Sequence, residues 1–276
     1  MQIIEMHYQS IFMTMNKLSV TVLSVALMAG SLVSGLSAQV LKSNLTEGYA
    51  VGDVLERQVY EDKKAPAVLD SWSGAFHSSP NELPSPAIVA PLLYPGYPEQ
   101  GNAIRLGWDK GIKGSRFSCF TVAEDGKLKK GVFYLSAVVR LDRISSKDAS
   151  ELIGLTPNAT GGAGKYRIMA RRDSVDSKTV YFSCSLGKVI ATAEQPCVAG
   201  QTVLIVMRVD FGAANVSLFV NPDLSGEEPA PAAVAAADEE NTTKWPIRAI
   251  SLRNRNAYAG AVGGIRLTRS WASLSE

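Results

Sequence analysis

The stretch VLIVMRVDFGAANVSLFV, residues 203–220, decides the fold. Val203 to Asp210 is a run of β-branched and large apolar residues, and Val216 to Val220 is a second. Such runs, set apart by turn-forming residues, are strand signals. The segment Phe211 to Asn215 between them is too short for a crossover and predicts an antiparallel hairpin. Gly212 is the expected point of reversal, and Asn215 tolerates turn geometry. Side chains two apart share one face of a strand, so Val216, Leu218 and Val220 are expected to face the core.

The same kind of run recurs on both sides of the hairpin. The clearest is Gly131 to Leu141, with Val132, Phe133, Tyr134, Leu135, Val138 and Val139. Ala103 to Leu106, Ser115 to Val122, Tyr166 to Ala170, Thr179 to Ser183, Ile247 to Leu252 and Gly264 to Thr268 also fit strands. Gly, Asn, Asp and Pro lie between them. There is no βαβ rhythm and no dinucleotide-type glycine loop. Many short strands with such breaks predict an all-β fold, a two-layer antiparallel β-sandwich. Lys147 to Leu152 is expected to form a helical turn or two. Leu55, Val59 and Tyr60 suggest an edge strand. Seven prolines between Ala65 and Gln100 predict a long irregular connection. The stretch EPAPAAVAAADEE, residues 228–240, is poor in large apolar residues. It is expected to form a surface excursion over 225–240 that contributes no strand face.

The N-terminus has a different logic. Lys17 precedes an apolar run from Leu18 to Val33, and Ser37-Ala38 offers a small-residue exit. Those are the parts of a secretory signal, so residues 1–38 are expected to be removed and residues 39–276 to form a single sandwich domain. The expected location is secreted, periplasmic or on the cell surface. No later stretch has the 18 apolar residues of a membrane span. Removal also takes His7 and leaves His77 as the only histidine, which excludes zinc sites built on several imidazoles. A net charge of +2, without a basic run interleaved with aromatics, gives no sign of a nucleic-acid partner. Of Cys119, Cys184 and Cys197, the last two lie near each other in sequence. Export permits a Cys184–Cys197 disulfide, and the alternative is three buried thiols.

Three stretches carry a resemblance: GVFYLS (131–136), VMRVDFGAANVSLFVNP (206–222) and GGIRLTRSW (263–271). Together they resemble secreted bacterial domains of the concanavalin A-like, laminin-G-like jelly-roll class. The resemblance covers most of residues 90–276. It implies the sandwich already read from the strands, with the Gly-x-Arg-Leu strand closing a sheet. It chooses no function, because that class holds lectins, glycan-binding modules, glycosidases, lyases and structural domains. The Glu-x-Asp-x-x-Glu strand of related retaining glycosidases has no match here. The acid that many members place before the final strand to hold calcium is replaced by Gly263-Gly264. Asp53, Asp70 and Asp109 stay open as oxygen donors for a structural calcium, and no other metal or cofactor is expected.

The leading expectation is an exported, non-catalytic carbohydrate-binding module. A sugar ring packs its C–H face on an indole or phenol while polar groups meet its hydroxyls. Trp72, Phe76, Tyr97 and Trp108 are the candidate platform, with Tyr94 beside them and Asn81, Asn102, Asp109 and Arg105 as polar neighbours. They lie in apparent loops, where binding residues concentrate. The bland alternative is that these rings seal one end of the core. Two other functions stay open. One is a structural or protein–protein interaction domain of a cell-surface assembly, and the other is a divergent glycosidase or lyase. The adjacent acids Glu61-Asp62, Glu227-Glu228 and Asp238-Glu239-Glu240 suit a solvated surface. No Gly-x-Ser-x-Gly elbow is present.

Overall fold

A computed structural model describes residues 40–55, 72–77, 84–98, 101–108, 114–122, 128–158, 162–176 and 178–276, with the side chains of 73–77 outside that description. All of these belong to one compact unit, Val40–Glu276. The expected export segment, Asn81, Asp70, Asp109, Val59, Tyr60 and Glu61-Asp62 lie outside the described residues, as do the side chains of Phe76 and His77.

Strands are numbered in chain order. The first eight are β1 (Val40–Lys42), β2 (Trp72–His77), β3 (Ile88–Val89), β4 (Ala103–Gly107), β5 (Ser115–Thr121), β6 (Val132–Ile144), β7 (Ser150–Thr156) and β8 (Tyr166–Arg172). The rest are β9 (Thr179–Leu186), β10 (Val189–Thr192), β11 (Cys197–Val198), β12 (Thr202–Asp210), β13 (Asn215–Val220), β14 (Ala233–Ala236), β15 (Ala249–Arg255) and β16 (Tyr258–Thr268). They form two sheets. The first runs β14-β13-β12-β6-β16-β4-β3, with β1 also on β16. The second runs β10-β9-β8-β7-β15-β5-β2, with β11 on β9. The pairings are antiparallel. The fold is therefore the expected two-layer antiparallel β-sandwich.

The quoted hairpin forms as expected. β12 and β13 pair from Ile205 opposite Val220 to Asp210 opposite Asn215. Val216, Leu218 and Val220 enter the main core with Phe133, Leu135, Ile205 and Met207 of the same sheet and Tyr166, Phe182 and Ile250 of the other. The reversal differs in detail. The left-handed residue is Ala214, at φ 50°, while Gly212 stays out of that region. The Asp210 Oδ1 holds the turn by accepting from the amides of Gly212 (2.9 Å) and Ala213 (2.8 Å). A side-chain acceptor thus shapes the turn, which glycine counting alone does not reveal.

The first sheet is buried on both faces, which explains its near-continuous apolar runs. On its outer side Tyr134, Val138, Leu204, Val206 and Phe219 pack with Tyr97, Trp271 and Leu274. Trp271 sits 5.0 Å from Phe219 and edge-on to Tyr134 at 5.9 Å. The chain around 91–98 and the 3-10 turn Ala272–Leu274 form this cover.

Several expectations need correcting. Residues 150–152 begin strand β7 and not a helix; a bulge between Glu151 and Ile153 breaks the alternation that would have marked it. The 225–240 excursion does supply a strand: β14 pairs with β13, placing Ala235 in the core and Val234 outside. Alanine is small enough to lie on an edge strand over Cys184, whose thiol faces the Ala233 carbonyl. The proline-rich segment contains β2, paired with β5 from Trp72 opposite Phe120. The final long strand does not close a sheet. It lies in the middle of the first, between β6 and β4.

Cys184 and Cys197 are not bridged; Cys119, Cys184 and Cys197 are all free and buried. Cys197 pairs with Val180 on β9, while Cys184 lies four residues further along that strand. Four residues span about 13 Å, roughly twice the Cα separation that a disulfide bridges.

Candidate functional site

Trp72 is 2% exposed, and its indole N–H donates to the Leu45 carbonyl at 3.0 Å. It meets Phe120 edge-on at 5.4 Å. No face is left for a sugar, so Trp72 is a core residue and not a platform. Tyr97 is buried as well. Its hydroxyl donates to the Gly264 carbonyl at 2.6 Å and shares a hydrogen bond with the Ser136 hydroxyl at 2.7 Å. Burial pushes its phenol up to about 12. Tyr97 therefore fastens the chain before β4 to the first sheet. Tyr94, half-buried, packs on the same outer cluster. The backbone of Phe76 lies opposite Phe117. Burial thus removes Trp72 and Tyr97 from the expected platform.

Trp108 is the one described candidate of the four that borders open space. It follows β4 and is 8% exposed, too little for a ring to lie flat across it. It lines a cavity of about 270 Å³ together with Pro84, Ser85, Pro86, Ala87, Arg105, Gly107 and Asn254. The cavity opens where β4 of the first sheet approaches β15 of the second. Three local features build it. The Arg105 amide donates to the Ala87 carbonyl at 2.8 Å, which holds the proline-rich wall against β4. Gly107 has φ 75°, and a Cβ there would sit 1.9 Å from the Tyr258 carbonyl oxygen, so only glycine permits this approach of strand ends. Arg143 from β6 donates to the Trp108 carbonyl at 2.8 Å and to the Asn256 carbonyl at 3.2 Å, fixing the rim.

The polar groups of the lining are specific. Asn254 is buried, and its Oδ1 accepts from the Gly107 amide at 2.7 Å. That bond sets the orientation of the amide group, so the other atom is Nδ2. Asn254 Nδ2 is buried and has no hydrogen-bond partner among the described residues. Ser85 Oγ accepts from Arg116 Nη1 at 2.6 Å. The Arg105 side chain is exposed and makes no hydrogen bond or ion pair among the described residues. Among the described residues no carboxylate lines the cavity and no acid–base pair is present. The arrangement can donate hydrogen bonds and hold negative charge.

A second polar cluster lies on the other sheet. Glu151 is fully buried; its Oε1 accepts from the Gly164 amide at 2.7 Å and its Oε2 lies 3.5 Å from Arg253 Nη1. Arg253 also stacks over Phe117 at 5.1 Å. Burial raises the Glu151 carboxyl above its ordinary value, against the pull of the Gly164 amide, Arg167 and Arg253. Asp53, raised as an oxygen donor for calcium, accepts from its own turn at Ala50, 2.7 Å away. Among the described residues no group of three His, Cys, Asp or Glu side chains converges.

Reading the sequence for loop aromatics missed Asn254 and Ser85. Asn254 carried a signal, because it is in phase with Ile250 and Leu252, which face the core. A polar residue on the inward phase of a strand must be satisfied or functional. Ser85 carried none.

No protein-family model matches the chain, and no curated protein matches it. Among solved structures it is similar to the globular domain of T. cruzi calreticulin, at 14% identity and a TM-score of 0.44, covering 71% of this chain and 83% of that one. It is similar to a carbohydrate esterase of the Shiga toxin-encoding bacteriophage phi24B, at 10% identity and TM-score 0.46, covering 84% and 99%. Peanut lectin matches at 13% identity and TM-score 0.37, covering 70% and 95%. Of two botulinum neurotoxin binding domains that it also matches, the chain spans less than half the length. These likenesses concern the fold and carry no function to this chain.

Proposed function

We propose that this protein is an exported, non-catalytic glycan-binding module, and that one sugar ring binds in the cavity beside Trp108. The observation that carries the proposal is the buried, unmatched Asn254 Nδ2 in a cavity that also holds an exposed guanidinium and an indole. Binding sites pair an apolar lining with a few placed polar groups. Pro84, Pro86, Ala87 and the Trp108 indole supply the first, and Arg105, Ser85 and Asn254 the second. A volume of about 270 Å³ suits a single ring more than a chain of them. Among the described residues the lining lacks the two carboxylates that glycoside hydrolysis uses, which favours binding over catalysis. Export rests on the charged, apolar and small-residue pattern of residues 17–38.

The test uses protein recovered from the exported fraction, its N-terminus read by intact mass. That mass should place the start within a few residues of Gln39. The protein should bind a subset of a glycan array, and Ala87→Phe should abolish that binding with little change in melting temperature, since Ala87 is half-buried in the cavity wall. Retention of residues 18–36 would sink the export reading. An array without hits, or full binding by Ala87→Phe, would sink the glycan reading at this cavity.

A further inference from the structure

The side chains around the cavity are nearly all donors. Arginine carries five N–H groups and no acceptor, and Arg105 stands at the cavity with its guanidinium uncommitted among the described residues. Asn254 has spent its acceptor on the Gly107 amide, so its Nδ2 presents hydrogens alone. Ser85 Oγ takes a hydrogen bond from Arg116, which directs its own hydrogen elsewhere and leaves one lone pair. Proline, alanine and glycine add no side-chain acceptor, and an indole is donor-only. Two more guanidiniums reach this end of the sandwich, Arg116 through Ser85 and Arg143 through the Trp108 carbonyl. Among the described residues of the lining, Arg105 is the one charged side chain and no carboxylate accompanies it.

A neutral sugar matches such a lining poorly. Each hydroxyl brings a hydrogen that needs an acceptor, and burying it unmatched is unfavourable. An anionic substituent brings acceptors alone and pairs with a guanidinium through two parallel hydrogen bonds. We infer that the cavity selects an anionic sugar, with the acidic group on Arg105 and an uncharged ring or hydroxyl oxygen on Asn254 Nδ2. This rests on the glycan-binding reading above and names the class of sugar.

Titration calorimetry on the full mature chain tests it, with a hexuronic acid oligosaccharide, a sulfated oligosaccharide and the neutral parent of equal length. At least one anionic sugar should bind tenfold or more tightly than the neutral parent, and the better of the two identifies the acid. That affinity should fall as salt rises, because exposed charge pairs are screened. Arg105→Ala should remove the preference, bringing anionic affinity down to that for the neutral parent, and Arg105→Lys should restore part of it. Asn254→Asp keeps the acceptor for the Gly107 amide but replaces the donor with a second, negative acceptor, so anionic binding should fall at least tenfold. Arg105 is exposed, so its variants fold even if Asn254→Asp does not. Equal affinity for neutral and anionic sugars, unchanged by Arg105→Ala, would overturn the inference and leave the glycan reading standing. Failure to bind any of the three sugars would overturn both.

Discussion

The Tyr97 hydroxyl donates to the Gly264 carbonyl across 2.6 Å, joining the proline-rich segment to a bulge in the central strand β16. Gly264 sits at φ 54°, and a Cβ on it would lie 2.9 Å from Tyr97 Cε1 and 3.1 Å from Val138. Gly264 therefore has a packing role: it lets a phenol close over the sheet. Tyr97→Phe keeps the ring and removes the hydroxyl, leaving the Gly264 carbonyl short of a donor. Such a loss costs about 1–3 kcal/mol. Urea unfolding should show a lower midpoint at unchanged slope, the mark of altered stability alone. Sugar affinity should stay within about twofold, because Tyr97 does not line the cavity. A variant as stable as the parent would remove Tyr97 as the fastener.

The sheets were legible where burial and periodicity agree. β12 and β13 stand in the sequence as long apolar runs around a turn, because both their faces are covered. β7 was not legible, since the bulge after Glu151 shifts its phase and Ser150-Glu151 looks like a helix start. β14 was hidden by alanine, which carries little strand preference and packs here only because the edge of β13 needs a small partner. The site was legible in part. Trp108 and Arg105 stand out in the sequence, but for Trp72 and Tyr97 a place among prolines leaves an exposed platform and a core seal both open. A proline-rich segment laid over a sheet is buried by tertiary contacts that local sequence does not encode.

The cysteines give a second check on that register. The pairing of Cys197 with Val180 separates it from Cys184, so the chain should keep three thiols even under oxidising conditions. All three are buried, and burial pushes Cys184 up to about 11. Near neutral pH it is thus protonated and unreactive, since the thiolate is the nucleophile. Native protein should react slowly with a thiol reagent, and denatured protein should titrate three groups. A mass two hydrogens lighter than the reduced chain, or one thiol after denaturation, would show a disulfide, and peptide mapping that located it at Cys184–Cys197 would place β11 elsewhere.

Glu151 gives the clearest dependence on pH. It is the one buried carboxylate among the described residues, and burial raises it above its ordinary 4.5. Its partners, the Gly164 amide, Arg167 and Arg253, oppose that rise without cancelling it. The folded state therefore holds the proton to a higher pH than the unfolded chain does. Below 4.5 both states are protonated and the group costs nothing. As pH rises past 4.5 the unfolded chain ionises first, so this group's contribution to stability falls until the folded carboxyl has ionised too. Glu151→Gln keeps an acceptor for the Gly164 amide and removes the titration. The exposed Asp173, Asp176, Asp223 and Asp238 are lowered by their own turn hydrogen bonds. They favour stability at rising pH, but equally in both proteins, so they cancel in the difference. The parent should be at its most stable relative to Glu151→Gln below pH 4.5 and lose ground as pH rises above it. Thermal melts across that range measure it. A flat difference, or one that grows in the parent's favour as pH rises, would mean that Arg253 and Arg167 outweigh burial and hold the carboxylate ionised.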